Sequence, residues 1–162
     1  MPEFIVRPIA SGITNAVRTT LLSPQYGHPV HRERARGTGP CRECLSTFAV
    51  QYDDRLLFTY NPFGGADSVS QPGPVFIHAE ACEPFSAEGY PEGLTSLPIL
   101  AEAYLHDGTR SAPRVIVADK AVEILSELLD DSRVLFLHLR HAEAGCFIAR
   151  VDRAPTSPPG LR

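Results

Sequence analysis

No stretch of the chain approaches the ~20 consecutive apolar residues of a membrane-spanning helix, so no membrane partner is expected. A basic surplus is also missing. Lys and Arg number 15 against 19 Asp and Glu, and the net charge of -4 argues against nucleic acid as the main partner. The one basic cluster, His28 to Arg36 (HPVHRERAR), is interrupted by Glu33 and reads as a solvated loop rather than an anion site. There is no Gly-rich phosphate loop, since Gly64-Gly65 alone signals only a turn. No serine sits in a nucleophile-elbow setting, and no carboxylate pair stands out from the acidic residues, which leaves hydrolase chemistry without a foothold. At the N-terminus, Glu3 and Arg7 interrupt what a secretory leader would keep apolar, so the cytoplasm is the expected compartment. The four cysteines would stay reduced there, which favours metal or redox roles over a disulfide framework.

What is present is an ordinary globular composition. The chain is 162 residues long and 43% hydrophobic, with a mean hydropathy of -0.08. At this length folding hides about 70% of the extended-chain surface, enough for one core without staples. Residues 1–153 are expected to form a single α+β domain, and 154–162, with three prolines and a glycine, a disordered tail. Phe4 to Ile9 reads as a strand, and Ile13, Ala16, Val17 and Leu21 recur at helical spacing. Ser23 to Pro40 shows neither period and reads as a long loop. Leu56 to Tyr60 and Val75 to Ile77 are β-prone, with turn-forming residues between them. Ile99 to Leu105 and Arg114 to Val117 flank Asp107-Gly108, which suits a turn with positive φ. Asp119 is placed to cap a helix whose buried stripe is Val122, Leu125, Leu128 and Leu129. Val134 to Arg140 and Cys146 to Val151 close the chain as a hairpin. No repeat and no strict β-α-β alternation are visible, so the sheet is expected to be mostly antiparallel with two or three helices.

The sharpest chemical feature is a candidate Cys3His metal site of Cys41, Cys44, His78 and Cys82. Thiolate sulfur and imidazole nitrogen suit zinc, which takes four ligands in a tetrahedron. Cys41-Arg-Glu-Cys44 places two thiols on one turn. His78 and Cys82, four apart, share a face if the segment after the 75–77 strand opens a helix. Two other readings stay open: Cys82 as a small buried hydrophobe with His78 as a hydrogen-bonded strand end, and Cys41/Cys44 as a thiol-disulfide pair. Four protein ligands would make a closed, structural zinc site, because a catalytic one keeps a position for water.

A second group lies in the last hairpin. Alternation puts Val134, Phe136, His138 and Arg140 on one face and Leu135, Leu137 and Leu139 on the other, the leucine face being the expected core. His138, Arg140, His141 and Cys146 could then hold an anion or raise the reactivity of the thiol, the plain alternative being a solvated sheet edge with an inert Cys146. His28 and His31 are expected to face solvent.

Phe4-Ile-Val-Arg7, Gly27-His-Pro29, Pro40-Cys-Arg-x-Cys-Leu45, Leu56-Leu57 with Tyr60-x-Pro-Phe63, Gly73-Pro-x-Phe-x-His-Ala79 with Cys82, and Gly145-Cys-Phe147 before Arg150 together resemble the bacterial family known as domain of unknown function 1203 (DUF1203). The likeness runs from residue 4 to about 153. It implies a standalone bacterial domain with no assigned activity, and it groups Cys41, Cys44, His78 and Cys82 with Gly145 and Cys146 as distinctive polar positions. His141 stands where that likeness leads one to expect asparagine. Two functions are compatible with these features. One is a non-catalytic domain, braced by zinc, that binds an unknown small molecule or protein through loops 23–40 and 61–74. The other is a small enzyme with Cys146 as nucleophile, His138 or His141 as base and Arg140 holding an anionic group.

Overall fold

The computed structural model describes residues 4–64 and 70–155. Along the chain they form β1 (Phe4–Arg7), α1 (Ser11–Thr20), β2 (His31–Arg34), β3 (Asp54–Tyr60), β4 (Gly73–His78), β5 (Ile99–Leu105), β6 (Arg114–Ile116), α2 (Ala121–Asp130), β7 (Val134–His141) and β8 (Phe147–Arg153). Short 3-10 turns lie at Glu92–Leu94 and Ala118–Lys120. The strands make a five-stranded sheet in the order β1-β8-β7-β5-β6 and a three-stranded sheet in the order β2-β3-β4, every pair antiparallel. The fold is α+β in one domain, and of the predicted tail residues 156–162 lie outside the described residues.

α2 covers one face of the large sheet. Ile124, Leu125 and Leu129 pack there with Leu137, Leu139, Ile148 and Val151, forming one core. The small sheet, α1 and Phe147 form the second, around Val17, Phe48, Leu56, Phe58, Val75 and Ile77. β7 is the middle strand of its sheet, so it is buried on both sides. Val134, Phe136 and His138 are as hidden as Leu137 and Leu139, while Leu135 is 45% exposed. The all-leucine core face and the solvated edge around His138 are both corrected on this point, because Val134 joins the α2-side core and the rings of Phe63, Tyr104 and Phe147 pack around Phe136 and His138.

Four further expectations change. The loop over 23–40 contains β2, a charged edge strand whose His-Arg-Glu-Arg pattern carries no apolar period and whose charges guard a free edge. No helix follows β4: residues 79–91 run as bends and extended chain, so His78 and Cys82 meet by chain reversal. Asp119 lies in a 3-10 turn rather than at a cap, and α2 starts at Ala121 with no side-chain cap. Val122 is 48% exposed, the buried stripe being Ala121, Ile124, Leu125 and Leu129. Gly108 does take the expected positive φ, 85°, in the turn between β5 and β6.

The last hairpin carries one irregularity. The β7/β8 register shifts at Leu139/Arg140, so Ile148 and Ala149 both join the α2-side core while Phe147 joins the other. This β-bulge puts Phe147 and Arg150, three residues apart, on the same face.

Candidate metal centre

Cys41 and Cys44 sit on a turn closed at both ends, Leu45 N–H donating to Cys41 O and Cys41 N–H to Ser46 O, each at 2.9 Å. Leu45 takes a φ of 59°, in the left-handed region, which ends the turn. Gly93 presses against this point: a Cβ there would overlap the Leu45 carbonyl oxygen and fall 2.8 Å from Ser46 Cα. Only glycine allows that approach. His78 is the last residue of β4, and Cys82 returns four residues later.

The four side chains converge. One ligand atom from each of Cys41, Cys44, His78 and Cys82 lies within 4.8 Å of all the others, so the group could hold a metal ion. Cys41 Sγ is 3.8 Å from Cys82 Sγ, and Cys44 Sγ is 3.5 Å from His78 Nδ1. Zinc bonds of about 2.3 Å to sulfur and about 2.0–2.1 Å to nitrogen give tetrahedron edges of about 3.8 and about 3.6 Å, so the donor set fits that ion in size as well as in chemistry.

The surrounding groups complete the arrangement. His78 Nδ1 faces the sulfurs while Nε2 lies 3.2 Å from Asp53 Oδ2, the carboxylate–histidine pairing that orients a metal-ligating ring. Asp53 is itself held by the Ala49 N–H at 2.8 Å, which keeps its carboxyl below the usual range. The His78 N–H points at Cys41 Sγ, 3.4 Å away. Arg18, from α1, donates to His78 O and approaches Cys82 Sγ at 3.6 Å, and its other arm meets Glu43 Oε1 at 2.7 Å. Thr14 donates to the second oxygen of Glu43, so the carboxylate is fixed from two sides.

Such crowding distorts ionisation. The Cys44 thiol beside Cys41 holds that sulfur well below the usual thiol range against the opposing effect of burial. The same contact pushes Cys44 up, and burial with the Cys41 charge pushes Cys82 up to about 12. His78 is raised by its hydrogen bond to Cys41. One thiolate is therefore stable among four ligands, and a cation is what permits the remaining thiols to ionise together.

The second predicted group is dispersed. His138 is buried, its ring 4.8–5.1 Å from those of Phe63, Tyr104, Phe136 and Phe147, and burial takes it down to about 3. His141 Nδ1 accepts the N–H groups of Glu143 and Ala144 and so serves the turn. Arg140 donates to Gly145 O and Tyr104 Oη. Cys146 is half-buried in that turn. Arg42, 4% exposed, donates to Phe147 O and Pro40 O. His28 Nε2 accepts the Thr59 N–H, and His31 is exposed beside Glu33, so neither joins the metal ligands. Asp53, Arg18, Glu43 and Gly93 carried no signal in the sequence, because each reaches the ligands through contacts that only the folded chain makes.

No curated protein and no solved structure matches the chain. A family model does, over residues 38–153, a span that contains all four candidate ligands and the Arg140–Arg150 hairpin. The chain belongs to the family described as protein of unknown function (DUF1203).

Proposed function

We propose that the protein is a non-catalytic bacterial cytoplasmic domain that binds a small molecule or a partner protein, and that Cys41, Cys44, His78 and Cys82 hold a structural zinc ion. The observation that carries the metal reading is the match between the 3.8 and 3.5 Å donor separations and tetrahedral zinc, with His78 oriented by Asp53. Four protein ligands leave no position for water, so the ion braces the fold rather than activating a substrate. Reduced thiols suit a cytoplasmic setting. Protein purified without chelator should contain one zinc per chain. Cys82→Ser should lose it and several kcal/mol of stability, since apparent zinc-binding energies of order 10 kcal/mol feed into folding. Wild-type and variant of equal stability and equal metal content would contradict this.

A second reading is a thiol-dependent enzyme built on Cys146 with Arg140, favoured by the Arg42 guanidinium that is held on the carbonyl of the next residue, Phe147. It requires iodoacetamide to alkylate Cys146 in the native protein. Alkylation only after unfolding would end it.

A further inference from the structure

On the face of the large sheet turned away from α2, the registers line up a polar row. Glu102 pairs with His138, His138 with Arg150, and Arg150 with Arg7, across four strands. Arg140 and Tyr104 flank the row, and Arg110 reaches Glu102 at 3.6 Å from the β5–β6 connection. The β8 bulge places Phe147 beside Arg150, and the Arg150 guanidinium lies 4.0 Å over the Phe136 ring. Bulges of this kind re-aim side chains and are over-represented beside functional sites.

Among the described residues the charges do not balance locally. Arg7, Arg110, Arg140 and Arg150 face Glu102 and Asp152, a surplus of two positive charges in a chain whose net charge is -4. Burial keeps His138 neutral, so it adds apolar and hydrogen-bonding character rather than charge.

Hydrogen-bonding capacity is also unused. Arg140 Nη2 donates to Tyr104 Oη at 3.3 Å, and Tyr104 donates on to Glu102 Oε1 at 2.8 Å. Arg140 Nε stays 3.8 Å from Glu102, too far for a hydrogen bond, and is buried without a partner among the described residues. His138, 2% exposed, has Nδ1 in the same condition. Two such orphaned groups side by side stand out against the rule that buried polar atoms are satisfied. The guanidinium rim remains reachable from solvent, the Arg150 side chain being 45% and that of Arg140 14% exposed.

We infer that this face binds a small organic anion, a carboxylate with an apolar or aromatic body, the carboxylate meeting Arg140 and Arg150 and the body lying against the half-buried Phe63. Arginine suits the planar, two-oxygen carboxylate. The Phe63 ring adds the apolar wall that an inorganic anion would not use.

The inference rests on the binding-domain reading and is independent of the zinc. It is tested by titrating the metal-assayed 162-residue protein with benzoate, inorganic phosphate and benzylammonium while following amide and arginine Nε–H signals by NMR. Benzoate should shift Gly145, Phe147, Arg150 and the Arg140 Nε–H saturably, with a dissociation constant of about 10 mM or tighter, and benzylammonium should not. Arg140→Gln and Arg150→Gln should each weaken binding at least about tenfold, the loss of one charge-assisted contact. Should Arg140→Gln fail to fold, Arg150→Gln, at a half-exposed position, carries the test. Absence of saturable shifts overturns the inference, as does phosphate binding as tightly as benzoate. Benzoate binding that both variants leave unchanged overturns this site while leaving the chain a binding domain.

Discussion

At the scale of single residues, Asp53 and Gly93 support the candidate metal site without belonging to its four donors. Asp53 fixes the His78 ring by accepting from Nε2, so Asp53→Asn should weaken zinc binding about 10–100-fold in competition with a chromophoric chelator, with the fold retained. Unchanged affinity would mean that the ring is held by packing against Phe48, whose centroid is 4.7 Å away. Gly93→Ala forces a methyl into the Leu45 carbonyl, which is backbone and cannot swing aside. Denaturant melts should show a loss of about 1–3 kcal/mol or more; a neutral effect would show that the turn and the 3-10 segment move freely past each other.

At the scale of elements, β7 is where chain periodicity and tertiary position diverge. Alternation from Phe136 to Arg140 identifies the two faces, although Val134 joins Leu137 and Leu139 in the α2-side core, and the β7/β8 hairpin is present close to its expected bounds. Which faces are buried depends on what packs over them, and the Phe63 and Tyr104 rings that pack against Phe136 and His138 come from earlier in the chain. The β2 strand is hidden for a related reason: an edge strand of charged residues owes its pairing to β3 rather than to its own pattern. By contrast, the Cys-x-x-Cys and His-x3-Cys spacings are legible, because ligand type and separation are written locally, although the helix expected for the second pair is absent.

The buried position of His138 has a pH consequence. Its folded value near 3 lies below the unfolded value near 6.5, so the neutral ring stabilises the fold fully above about pH 6.5. That contribution is lost as pH falls from about 6.5 toward about 3, when the unfolded chain takes up a proton the folded one refuses. The shift corresponds to at most about 5 kcal/mol. His138→Phe, which also removes the orphaned Nδ1, should flatten the acid limb of a stability–pH curve relative to wild type. An unchanged slope between about pH 6.5 and about pH 4 would contradict the assignment.

At the scale of the whole molecule, the Cys41–Cys44 turn is a junction. Its residue Arg42 accepts the Ile9 N–H after β1, donates its own N–H to Phe76 O of β4, and sends its guanidinium to Phe147 O of β8. Glu43 accepts the Phe85 N–H. Both sheets therefore meet at one short turn, which ends in a left-handed leucine and which α1 reaches through Thr14 and Arg18 on Glu43. An ion at the four ligands would lock that junction. Chelation should raise hydrogen exchange at Ile9, Arg42 and Phe85 first, leaving the β5–β7 ladder protected until global unfolding. Uniform loss of protection would place the ion's contribution elsewhere.

Elemental analysis of the purified, chelator-free protein decides whether the four converging side chains are ligands or a reduced thiol cluster. One zinc per chain is expected, and none in Cys82→Ser. Wild-type protein that is folded, fully reduced and free of metal even after incubation with zinc would rule the structural zinc out.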